Sequence, residues 1–175
     1  MKRILQSGIV IAAGLLGIAT ATVHADQDLT SNRKKFDLRE AILRRFLKDN
    51  HSPAENFAGV FVAEADAHGL DWRLLPSLAF VETGAGKQAQ GNNLFGWANG
   101  KTRFTNVSEA IHEVALSLAE GRSYRNKDVQ AKLRSYNHNL GYGAMVVRVM
   151  ERIATMPAAL PTALASSFPS PRPAE

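Results

Sequence analysis

Apolar residues recur at three- and four-residue spacing through almost all of the chain after residue 35, and that helical rhythm is broken once, between Thr83 and Thr105. There the pattern changes to Gly, Asn, Gln and Lys, with Asn99-Gly100 set between two short β-prone runs, Phe95-Gly96-Trp97-Ala98 and Lys101-Thr102-Arg103-Phe104. An Asn-Gly pair in that setting is a hairpin signal, because it supplies the positive φ angles of a type I′ turn. The expected fold is therefore mainly α, with one small β-hairpin inserted between the third and fourth helices. A domain assigned to residues 36–156 carries this pattern, and no internal repeat is found in it.

The helix ends are written in capping chemistry. A first amphipathic helix is expected through Phe36, Ile42, Leu43, Phe46 and Leu47 to about Asp49. Ser52-Pro53-Ala54-Glu55 reads as a capping box that opens a second helix, which runs to Gly69. Asp71 is placed to cap a third helix from Trp72 to Gly84, with Pro76 near enough to its first turn to be tolerated. Asn106 and Glu109 restart a helix that lasts to Gly121, and further helices are expected from about Asp128 to Tyr136 and from Gly141 to Thr155.

Both chain ends have a different composition. Lys2 and Arg3 precede an apolar run from Ile9 to Ala21 and then small residues, the order of a secretory signal peptide. Residues 1–25 are read as that signal, with Val23-His24-Ala25 or Ala19-Thr20-Ala21 at the cleavage site and residues 26–35 as a polar linker. The run is shorter than the ~20 residues of a spanning helix, so no stable membrane insertion is expected once the signal is removed. The expected location is periplasmic or secreted. Residues 157–175, rich in Pro, Ala and Ser, read as a disordered tail.

Export permits disulfides, but the chain has no cysteine, so packing alone must hold the fold and thiol chemistry is excluded. The formal charge of +5 loses two cations with the leader. What remains suits an anionic polymer, while no basic block interleaved with aromatics marks a nucleic-acid binder. Other chemistries fail on spacing. His112-Glu113 begins a zinc-protease motif, but Leu116 stands where the second histidine belongs. Gly84-Ala85-Gly86-Lys87 lacks the remaining residues of a phosphate loop. The five histidines are scattered along the sequence, and neither a metal nor a cofactor is expected.

Glu82 is the candidate catalytic residue. It ends the third helix one turn after Leu78 and Ala79 and two after Leu75, so its face is apolar and it stands at the negative end of the helix dipole. Both conditions disfavour the anion, and a carboxyl group kept protonated is what a glycosidase needs to protonate a leaving sugar oxygen. The segment Gly91-Asn92-Asn93-Leu94-Phe95-Gly96-Trp97 then offers the groups of a carbohydrate site. Ring faces of Phe95 and Trp97 suit sugar C–H surfaces, the amides of Asn92 and Asn93 suit hydroxyl and acetamido groups, and glycine admits close backbone approach. The alternative is that these aromatics fold into the core, an alternative stronger for Phe95 than for Trp97.

These residues carry a resemblance. Gly69-Leu70-Asp71-Trp72-Arg73-Leu74-Leu75-Pro76, Phe80-Val81-Glu82-Thr83-Gly84 and Asn92-Asn93-Leu94-Phe95-Gly96-Trp97 resemble the glucosaminidase domain of the lysozyme-like superfamily, the glycoside hydrolase family 73-like group of mannosyl-glycoprotein endo-beta-N-acetylglucosaminidase type. The likeness runs from about Ala54 to Ile153. It implies a lysozyme-like helical domain, peptidoglycan glycan strands as the partner and substrate, and Glu82 as general acid. It also implies cleft roles for Tyr136 and, beside it, Asn137; Thr83 stands where the family more often has Ser.

No Asp or Glu lies between Glu82 and Glu109. A two-carboxylate hydrolase would have to draw its second group from elsewhere, from Glu64, Asp66, Asp71 or Glu109. The mechanism expected instead is assistance by the substrate's own acetamido group, ending in hydrolysis or in the ring closure of a lytic transglycosylase. A rival of another class is a cell-wall binding or assembly protein without turnover. Lys87, Lys101 and Arg103 in the same acid-free segment are candidate contacts for wall carboxylates or simply solvated charges.

Overall fold

The computed structural model describes residues 36–158. The signal peptide, the polar linker and all but the first two residues of the Pro/Ala/Ser tail lie outside the described residues.

Six α-helices follow one another, and no strand is present among the described residues. They are α1 (Leu38–Asp49), α2 (Ala58–Ala67), α3 (Leu74–Thr83), α4 (Val107–Glu120), α5 (Val129–Tyr136) and α6 (Tyr142–Ala154). The expectation of a mainly helical chain holds. None of these helices is long and apolar enough to cross a membrane.

Local chemistry accounts for most of the helix ends. Asp37 caps α1 by accepting from the Arg39 N–H, and Asp128 caps α5 by accepting from the Ala131 N–H. At α4 the expected capping box forms: Asn106 Oδ1 accepts from the Glu109 N–H at 2.9 Å, and Glu109 Oε2 accepts from the Thr105 N–H. Gly69 at φ +61° follows the α2 cap residue His68, and the Leu70 N–H closes onto Ala65 O, a Schellman arrangement. Gly84 at φ +65° ends α3 in the same manner, with the Ala85 N–H closing onto Ala79 O.

Two starts differ from expectation. The Ser52–Glu55 box does not form; a 3₁₀ turn occupies Glu55–Phe57 before α2 begins at Ala58. The reason is tertiary. Ser52 Oγ accepts from the Ala54 N–H at 3.0 Å and donates to Ala85 O at 2.7 Å, which ties it to the segment after α3. Likewise α3 begins at Leu74, two residues later than Asp71 suggested. Asp71 instead holds the preceding turn, accepting from both the Arg73 backbone N–H and its guanidinium.

The core explains the position of α3. It packs against α2, α4 and α6, and Leu74 through Ala79 are all buried, Pro76 and Ser77 among them. Leu75, Leu78 and Ala79 are fully enclosed, meeting a core to which α1 gives Leu43, Phe46 and Leu47, α4 gives Ile111 and Val114, and α6 gives Val146 and Ile153. Enclosing a leucine side chain contributes on the order of 2 kcal/mol. A helix so surrounded is held firmly, and its last turn is therefore a firm base for Glu82.

The expected hairpin is corrected. Residues 84–106 form successive turns, with positive φ at Ala85, Gly86, Gly91, Asn92, Gly96, Ala98, Asn99 and Gly100. So many left-handed residues turn the chain too often for two extended arms to pair. The Asn99-Gly100 turn is present, closed by the Lys101 N–H on Ala98 O at 3.2 Å. In place of a ladder, the buried Asn93 side chain holds both sides of the loop. Its Oδ1 accepts from the Trp97 N–H at 2.8 Å, and its Nδ2 donates to Trp97 O at 2.9 Å and Thr102 O at 3.0 Å.

Candidate functional site

The last turn of α3, the turn-rich loop, the end of α5 and the start of α6 meet at Glu82. The carboxylate is half-buried, and the Tyr142 hydroxyl donates to its Oε1 at 2.5 Å. Tyr142 is the first residue of α6 and only 4% exposed, so its ring is locked by packing. On the other side lies Gly96, at φ +57°: a Cβ there would come 3.2 Å from Glu82 Oε2. A larger residue would have to push the carboxylate aside by a few tenths of an ångström and adopt a left-handed backbone, so glycine suits this position on both counts.

Thr83, next to Glu82, joins the helix to the loop. Its buried hydroxyl donates to Leu94 O at 2.6 Å and accepts from the Gly86 N–H at 3.0 Å. The Thr83 hydroxyl thus fixes the end of the helix, and with it Glu82, over the loop.

A row of three rings borders the carboxylate. Tyr142 and Tyr136 are stacked, with centroids 5.8 Å apart and planes 8° apart, and Trp97 leans on Tyr136 at 5.8 Å and 59°. The Tyr136 hydroxyl donates to Phe95 O at 2.8 Å, which ties α5 to the loop. Burial raises the hydroxyl pKa of both tyrosines well above the usual phenol range. The hydrogen bond to Glu82 adds to this at Tyr142, and the Glu82 charge acts in the same direction on both. Both hydroxyls therefore keep their protons, as hydrogen-bond donors, beyond the usual phenol range.

No family model, no curated protein and no solved structure matches this chain. The site has to be read from its own chemistry.

Not every candidate from the sequence lines this place. Glu82, Trp97 and Tyr136 come together, with Trp97 and Tyr136 half-buried and each keeping some exposed surface. Asn92 is nearby in sequence, but its φ is +59° and its Nδ2 donates to Phe104 O at 2.9 Å and Thr105 O at 3.2 Å, a loop-bracing role. Asn93 and Phe95 are corrected as direct sugar contacts: they are 2% and 1% exposed. The Asn93 amide is saturated by the loop backbone, and Phe95 meets Phe61 edge-on at 6.5 Å in the core. A buried amide is available to a ligand only if its internal partners are given up. Asn137 is exposed and caps α5; its Oδ1 accepts from the Asn139 N–H at 2.9 Å. It lines a groove of about 580 Å³ between α5 and α6, together with Arg134, Gly143, Val147 and Arg148.

Tyr142 was absent from the sequence candidates. It is 60 residues from Glu82 along the chain, and the only local signal is an aromatic between two glycines at a helix start.

The four candidates for a second catalytic carboxylate are engaged elsewhere. Asp71 pairs with Arg73, and Asp66 with Arg39 at 2.7 Å. Glu109 completes the α4 cap, and Glu64 faces His68 and His112. Of the loop cations, Lys87, Lys101 and Arg103 are all exposed, and Lys87 Nζ donates to Asn50 O at 3.2 Å.

Proposed function

We propose that this chain is an exported peptidoglycan glycosidase of the lysozyme-like, glucosaminidase type, with Glu82 as its general acid. The observation that carries the reading is the Glu82 carboxyl group, held by the Tyr142 hydroxyl at one end of the Trp97–Tyr136–Tyr142 row. A glycosidic bond needs a proton delivered to its leaving oxygen while the sugar is held beside the donor. A positioned carboxyl next to ring faces that accept sugar C–H surfaces meets both needs.

The reaction that fits is substrate-assisted. The acid-free loop supplies no partner carboxylate to Glu82, and the four candidates Glu64, Asp66, Asp71 and Glu109 are engaged in other pairs. The acetamido oxygen of an N-acetylated sugar then attacks its own anomeric carbon as Glu82 protonates the leaving oxygen, giving a cyclic oxazolinium ion. With that proton gone, the Glu82 carboxylate takes one from water, whose oxygen opens the ring and completes hydrolysis. Where the sugar's own hydroxyl replaces water, the product is the anhydro end of a lytic transglycosylase.

The test is Glu82→Gln on purified wall glycan, with products read by mass spectrometry. Expected are a folded variant, retained glycan binding, and turnover reduced about 10²–10⁴-fold. A reducing N-acetylglucosamine end identifies glucosaminidase action, and an anhydro end identifies the transglycosylase. Wild-type turnover in the variant refutes the role of Glu82, and binding without any new glycan ends in the parent protein assigns it to the wall-binding class.

A further inference from the structure

A carboxylate and two imidazoles converge where α2 packs against α4, on elements that take no part in the Glu82 site. Glu64 stands in the last turn of α2 and His68 is its cap residue, so their four-residue spacing puts both on one face. Gly69 and the Schellman turn behind it fix where His68 stands. From α4, His112 Nδ1 reaches to 2.9 Å from Glu64 Oε2, while His68 Nε2 lies 3.5 Å from the same oxygen. The two rings are 5.6 Å apart and tilted by 55°. All three groups offer a ligand atom within 4.8 Å of the others.

These separations suit a small cation. With Zn–N and Zn–O bonds of about 2.0–2.2 Å, tetrahedral angles separate neighbouring ligand atoms by roughly 3.3 Å. The 2.9 and 3.5 Å distances bracket that edge, and the two imidazole nitrogens lie within 4.8 Å of each other, so the set closes on an ion by side-chain rotation. An ion pair between the two helices needs only one imidazole; here two face the same carboxylate oxygen, as two nitrogen ligands around one ion would. The Glu64 and His68 side chains are 23% and 13% exposed against 48% for His112, so the set opens to solvent on one side, where water supplies the fourth ligand.

We propose that Glu64, His68 and His112 bind a divalent transition-metal ion of the zinc class and so clip the end of α2 to α4. The two-imidazole, one-carboxylate set selects against magnesium and calcium, which take oxygen ligands. The ion binds the folded chain, where its ligands are assembled, and stabilises it by mass action.

The experiment uses the full, untagged chain. Titration with zinc chloride by calorimetry is expected to show one ion per chain and a raised melting temperature, with no response to magnesium chloride. His68→Gln and His112→Gln are expected to weaken binding at least about tenfold with unchanged circular dichroism. No zinc uptake, or equal uptake in both variants, overturns the site. A second measurement exploits the absence of cysteine: in His112→Cys loaded with cobalt(II), a thiolate-to-cobalt charge-transfer band arises only if residue 112 is a ligand. A folded His112→Cys that binds cobalt without that band also overturns the proposal.

Discussion

A glutamate at the C-terminal end of a helix is ordinarily a solvated group at the wrong end of the dipole. At position 82 three neighbours change that. Thr83 fastens the helix end to the loop, Gly96 leaves room for the carboxylate, and Tyr142 donates to it. Tyr142 acts through Glu82 in this arrangement and is a positioning residue. Tyr142→Phe keeps the buried ring and its stacking on Tyr136 but removes the donor. A hydrogen bond to a charged group is worth about 1.5–3 kcal/mol, so the expected loss in kcat is roughly 10- to 100-fold. Steady-state kinetics on wall glycan should show that loss with KM nearly unchanged and with an altered pH profile. A fall in melting temperature with unaltered kcat would make Tyr142 a packing residue only.

At the scale of elements, the instructive case is the loop between α3 and α4. Its Asn-Gly turn was legible, because positive φ at that pair is a local preference. Its lack of strands was not, because the decision rests on Asn93, a side chain that replaces ladder hydrogen bonds with its own. Amides read as sugar contacts are used in building the surface that carries Trp97. Thr83 is the matching device on the helix side. In Thr83→Val, the shape is retained but Leu94 O and the Gly86 N–H lose their buried partner. Urea unfolding should show a loss of about 1–3 kcal/mol at an unchanged m-value. A smaller loss would mean that water replaces the hydroxyl there.

The described residues beyond Phe36 belong to one helical unit without a disulfide, closed by packing and a few ion pairs. Arg39 joins Asp37 and Asp66, linking the start of α1 to the end of α2, and Arg73 grips Asp71 before α3. The arginine hydrogen bonds hold all three carboxyls below their ordinary value of 3.8. The folded state therefore binds these protons more weakly than the unfolded chain. The stability they contribute is complete above about pH 3.8 and is lost as the pH falls through their folded values. Urea midpoints are thus expected to drop with acidification below about pH 4, and Arg39→Gln to flatten that drop. Because Asp66 is half exposed, the effect of its pair should be small and should shrink in salt. An identical acid slope in the variant would assign the sensitivity to other carboxyls.

The chain by itself determined the helices and several of their ends. Periodicity, the Asp37, Asn106 and Asp128 caps and the glycines at 69 and 84 act within a few residues of where they stand. It also marked Glu82, Trp97 and Tyr136 as residues worth placing. Only the tertiary structure decided that Ser52 would tie Ala85 instead of capping a helix, that Asn93 and Phe95 would turn inward, and that His68 and His112 would share Glu64. It also brought Tyr142 to Glu82 across 60 residues and Tyr136 to Phe95 across 41. Such pairs depend on how α3, α5 and α6 pack, and apolar burial is non-directional: it sets which faces meet without recording in any one segment which polar groups will then lie side by side.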